Sequence, residues 1–157
     1  MKTKPIHYSG LRLSLALMLG LLVVPAYVVA PILFAELESV QAGLVAGKIF
    51  HTSNIAVLIL GVAAAVFAFR IRVQKTTWYL LGFVALMVAT NAFAVSEMMA
   101  AIKVEAGDIS LLSKQDPLRL AFAFWHGIGS VMQLLSSLFL IVLVMKSQRP
   151  KSKVEVV

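Results

Sequence analysis

The stretch LAFAFWHGIGSVMQLLSSLFLIVLVM, residues 120–145, decides the fold. It holds no Asp, Glu, Lys or Arg and exceeds the roughly 20 apolar residues that a helix needs to cross about 30 Å of hydrocarbon. Three more apolar runs precede it, at 13–35, 49–69 and 78–96. None shows the alternation of barrel strands, and a helix satisfies its own backbone hydrogen bonds in lipid. Composition agrees: of 157 residues 61% are apolar and 13% charged, with a mean hydropathy of +0.94, outside the soluble range. The expectation is an all-α, polytopic four-helix transmembrane bundle forming a single domain over residues 1–157.

Positive residues set the orientation. Lys2, Lys4 and Arg12 precede the first run, Arg70, Arg72 and Lys75 lie between the second and third, and Lys146, Arg149, Lys151 and Lys153 follow the fourth. The other two connections mix charges, with Glu36 and Glu38 against Lys48, and Glu105, Asp108 and Asp116 against Lys103, Lys114 and Arg119. This distribution predicts both termini in the cytoplasm, N-in and C-in, with residues 146–157 a mobile tail. Orientation and contact with anionic lipid account for the formal charge of +7, so nucleic acid is not an expected partner. The first run is longer than the apolar region of a signal peptide and reads as a true span. Cysteine is absent, which excludes disulfides, thiolate metal sites and cysteine nucleophiles.

The polar residues inside these runs are the candidates for function. His51 and Asn54 open the second run, Asn91 and Glu97 lie toward the end of the third, and Arg119, His126, Ser130 and Gln133 enter the fourth. With the spans bounded by hydropathy, all fall toward the outer leaflet. At about 100° per residue, Arg119, His126, Ser130, Gln133 and Ser137 form one stripe, and such a stripe is expected to face protein or water because polar groups in lipid are costly. His51, Asn54, Asn91 and Glu97 are its expected partners, with Arg119 paired to Glu97 or Glu36. Serine hydroxyls can also return to the preceding turn, and amides serve as interhelical hydrogen-bonding groups. His126 and His51 are candidate ligands for haem or copper, imidazole being a ligand to both metals.

The segments APILF, AGLVAGKIFH and DPLRLAFAFWHGIGS, with Arg119, His126, Gly127 and Ser130 as the most specific block, resemble the bacterial four-span family of unknown function 4149, to which animal transmembrane protein 205 is similar. The resemblance covers about residues 20–143 and implies a four-helix topology in the bacterial inner membrane; it implies no reaction. The layout is also similar to a wider group with copper-resistance membrane proteins and a haem-binding protoporphyrinogen oxidase, without the matched intramembrane His and Lys that the oxidase suggests.

Three functions follow as expectations. The first is a non-enzymatic membrane protein whose polar cluster binds a ligand or assembles with partners, as a homo-oligomer or within a membrane-protein complex. The second is a haem or copper protein using His126 with His51, and the third a small oligomeric transporter or channel. No Gly-x-Ser-x-Gly, His-Glu-x-x-His or phosphate-binding glycine loop supports an enzyme.

Overall fold

A computed structural model describes residues 4–147 and contains no strand among them. Lys2, Arg149, Lys151, Lys153 and the tail from 148 onward lie outside the described residues. The chain forms α1 (Lys4–Val24), a wide π turn (Pro25–Val29), α2 (Ala30–Glu36), α3 (Ser39–Ile71), α4 (Lys75–Thr90), a second wide turn (Asn91–Val95), α5 (Ser96–Ala106), a short 3-10 turn (Ile109–Leu111) and α6 (Pro117–Lys146). Among the described residues, four helical stretches are long and apolar enough to cross a membrane: Ile6–Glu36, Ser39–Ile71, Lys75–Ala106 and Pro117–Lys146.

Helix continues well past the apolar runs. The segment SVQAGLVAGK, expected as a connection, is the start of α3, and SEMMAAIKVEA, expected as the start of a loop, is α5. SEMMAAIKVEA is rich in residues that sit well in a helix, and in both segments the backbone amides still need partners at the membrane edge. At about 1.5 Å per residue, stretches of 30 to 33 residues reach about 45–50 Å, well beyond the hydrocarbon thickness.

The helices pack in the cyclic order α1, α3, α4, α6, each against its two neighbours. The apolar core lies toward the turn between α3 and α4. It joins Leu11, Leu15, Met18 and Leu22 of α1 to Val57, Ala64 and Ala68 of α3, Leu81, Val84 and Val88 of α4, and Leu140 and Leu143 of α6. Small residues bring α1 and α3 close together. At Gly10 a Cβ would stand 2.7 Å from the Phe67 ring, so only glycine fits there without displacing that ring. At the opposite end the bundle opens: α2 and α5 bury no side chain, and α2 packs on α3. Between 17 and 33% of each apolar window is buried, so most of the helix surface is left for lipid or for other proteins.

Two ends terminate by recognisable chemistry. Asp116 accepts a hydrogen bond from the Leu118 N–H at 2.9 Å and Pro117 occupies the first helical position, which together start α6. At the other end of the bundle, α3 stops at Arg72, whose backbone is left-handed (φ 54°, ψ 58°). The Val73 N–H donates to the Ala68 carbonyl and the Arg72 N–H to the Phe69 carbonyl, each at 3.2 Å, which is the Schellman arrangement.

Candidate functional site

A layer of amides stands near the midpoints of the spans. Gln133 of α6 is buried and its Nε2 donates to the Leu22 carbonyl of α1 at 2.9 Å. The acceptor lies three residues before Pro25: the missing proline N–H leaves the neighbouring Leu21 carbonyl without its donor, and the wide turn at Pro25–Val29 alters the bonding of the turn that holds Leu22. Gln133 supplies an N–H from another span. In the same layer, the Asn91 Nδ2 donates to the Gly129 carbonyl at 3.4 Å, one turn of α6 from Gln133. Gly129 has no side chain to block this approach, since a Cβ there would meet the Asn91 Oδ1 at 3.1 Å. Asn91 opens the second wide turn, and its own carbonyl accepts from the Ser96 hydroxyl at 2.8 Å.

Asn54 completes the layer from α3 and is almost fully buried, with Oδ1 left without a hydrogen-bond partner. The buried Ser136 hydroxyl is unpartnered as well, whereas Ser137 returns its hydroxyl to the Gln133 carbonyl at 2.9 Å. Asn54, Asn91 and Gln133 thus occupy the middle of their helices. The apolar runs that hold Asn54 and Asn91 begin or end about ten residues short of their helices, whereas the run that holds Gln133 nearly coincides with α6.

The other sequence-selected residues do not join this layer. His51, Glu97, His126 and Ser130 are exposed. Ser130 donates to the His126 carbonyl at 2.8 Å within α6, and the His126 ring stacks on Phe122 with centroids 6.0 Å apart and planes 12° apart. Arg119 donates through Nη1 to the Leu112 carbonyl at 2.6 Å, holding the loop before α6 instead of pairing with Glu97 or Glu36. The stripe is present on α6 but marks the edge of its buried face. Gly129, Gln133, Ser136, Leu140 and Leu143 define a face rotated by roughly 60° from the stripe at about 100° per residue. In the half nearer the α3–α4 turn, α1 covers that edge and Ser137 is buried; in the other half α2 leans on α3, and His126 and Ser130 are left at the surface.

Lys103 falls in a segment expected as a connection, yet it sits on α5 and bridges three spans. Its Nζ donates to the Gly43 carbonyl of α3 at 3.2 Å and lies 5.5 Å from the centroid of the Phe122 ring of α6. A carbonyl and a ring face leave no charge pattern from which the contact could be read. The Leu22 bond did leave a signal, a proline inside an apolar run matched by a glutamine inside another. His51 and His126 come from separate spans, and no group of three His, Asp or Glu side chains able to hold a metal occurs among the described residues.

No curated protein and no solved structure matches the chain. The family profile described as "Domain of unknown function (DUF4149)" matches residues 13–108, which takes in the first three spans through the end of α5 and leaves α6 outside. On that match over more than half of its length, this multi-pass membrane protein belongs to the DUF4149 family.

Proposed function

We propose that the protein is a binding and assembly subunit of the bacterial inner membrane, with both termini cytoplasmic, and that the uncovered half of α6 is where a second membrane-spanning helix docks. The observation that carries this reading is the exposure of His126 and Ser130 on a membrane-spanning helix. His126 is nine residues into α6, about 13 Å from its start by helical rise. If about 30 Å of hydrocarbon is centred on a helix of this length, His126 lies a turn or so inside the edge. Its ring nitrogens have no hydrogen-bond partner among the described residues, and a polar group so placed is costly against acyl chains.

The same surface is built for close approach. Ala123 and Gly127 are exposed beside His126, and a Cβ at Gly127 meets nothing within 4 Å. A small residue four positions from another lets helices approach until backbones touch, and a neighbouring imidazole or hydroxyl then finds a partner across the interface. The buried amide layer holds the protomer together, so docking uses a surface that folding leaves free.

The absence of cysteine makes the test clean. Ser130→Cys, probed in native membranes with a short bifunctional thiol-reactive or amine-to-thiol crosslinker, should give a defined adduct of higher mass, whereas Leu138→Cys, exposed farther along α6, should not. Replacing Gly127 by Leu should abolish that adduct. A lone chain in mild detergent, with no adduct from Ser130→Cys in membranes, refutes the proposal.

A further inference from the structure

We infer that the turn between α3 and α4 is a binding site for the phosphate of an anionic phospholipid. A groove of about 500 Å³ opens there, lined by Phe69, Arg70, Arg72, Val73, Lys75 and Trp78. It lies at the junction of two helices long and apolar enough to span a membrane, at the end where one passes into the other.

Three residues in and beside this groove stand where the local backbone disfavours them. The position after a Schellman-capped helix is left-handed and is the usual place for glycine, yet Arg72 occupies it at φ 54°, the one positive φ outside glycine among the described residues. A helix N-terminus carries partial positive charge and favours an acid or a capping side chain. At the start of α4, Gln74 makes no side-chain cap, the first turn has no acidic residue, and Lys75 adds a cation instead. With Arg70 in the last turn of α3, three positive side chains line the groove, beside the electropositive N-terminus of α4 and the electronegative C-terminus of α3. Local rules broken together at one place mark a site that something else completes.

No carboxylate in the described structure can complete it. Glu36, Glu38, Glu97, Glu105, Asp108 and Asp116 all lie at or toward the opposite end of the bundle, and none lines the groove. An external anion can supply what these described residues lack. Guanidinium forks match the paired oxygens of a phosphodiester, and an ammonium adds a point charge. The apolar flank decides between a lipid and a free anion. Phe69 and Trp78 edge the groove, and Val62, Val66 and Phe69, all exposed, continue along one side of α3 into the membrane. Acyl chains attached to the bound phosphate would lie along that stripe.

The test uses the full chain in zwitterionic micelles, titrated with phosphatidylglycerol or phosphatidylcholine and read by native mass spectrometry. Wild type should retain phosphatidylglycerol in preference to phosphatidylcholine at one equivalent. Arg72→Gly, which places glycine at the left-handed position and so preserves the turn, should weaken retention at least ~10-fold, as expected for loss of a charge-assisted pair. Lys146→Ser removes an exposed cation from the end of α6 outside the groove and should change retention less than ~2-fold, as expected for a screened surface charge. Equal losses in the two variants would mean a diffuse field, and equal retention of the two lipids would mean no site. Thermal protection by millimolar inorganic phosphate equal to that by the lipid would assign the groove to a free anion; each of these three results overturns the proposal.

Discussion

Replacing Gln133 by Leu should destabilise the bundle by about 1 kcal/mol, and most of that loss should vanish when Pro25 is also replaced by Ala. The Gln133 Nε2 lies 2.9 Å from the Leu22 carbonyl, with Gln133 7% and Leu22 0% exposed, so water cannot take the place of the lost donor without opening the helix pair. Leaving a buried acceptor unmet costs about 1–3 kcal/mol in soluble proteins. Interhelical hydrogen bonds in membranes average about 0.6 kcal/mol and reach about 1.7, because the separated helices also find partners. Leu fills much of the space that Gln leaves and has no amide to desolvate, which holds the expected loss near 1 kcal/mol. Pro25→Ala restores the N–H that serves Leu21 and lets the wide turn relax to α geometry, in which the Ala26 N–H meets the Leu22 carbonyl within α1. The assay is reversible unfolding in mixed micelles of the wild type, both single variants and the double variant. A coupling energy between the two positions above about 0.5 kcal/mol is expected. If the two changes simply add, Gln133 is not compensating for the proline and the reasoning fails.

Three further outcomes follow. Gly10→Ala should destabilise by about 1 kcal/mol, since overpacking of about 1–3 kcal/mol outweighs the gain in helix propensity, and Phe67→Leu in the same chain should recover most of the loss in the same unfolding assay. Arg72→Gly should raise stability in lipid-free zwitterionic micelles by about 1 kcal/mol, because a side chain at a left-handed position costs about 1–2 kcal/mol; an unchanged or lower stability would show that the guanidinium supports the turn itself. Lys103→Met keeps the aliphatic stem but loses the bond to Gly43, so hydrogen exchange should speed up locally over residues 39–47 while global stability changes by less than about 1 kcal/mol.

Hydropathy was enough to find the four spans because lipid imposes one requirement on every residue of a crossing helix. It did not find where the helices end. The segment from Ser39 to Lys48 carries charge and glycine and so looks like a connection, although its backbone is still cheapest as helix. Helix ends placed about ten residues short put Asn54 and Asn91 near the ends of their runs and grouped them with His51, Glu97 and His126, which lie elsewhere on the helices. Periodicity likewise placed His126, Ser130 and Gln133 on one side of α6, correctly as a property of the helix. Which neighbour covers that side is a property of the bundle. It changes midway along α6, where α1 gives way to α2, and one helical wheel carries no trace of that change. The wide turn at Asn91–Val95 has no proline to announce it, unlike the one at Pro25.

The hydrogen bond from Gln133 to Leu22 joins residues 111 positions apart. A contact between residues so far apart cannot form until the last span has been made. During synthesis, nascent chains that have inserted one, two or three spans all lack this bond, and the arrival of α6 supplies it. The bond is therefore a mark of completion, and a chain truncated before Gln133 cannot form it.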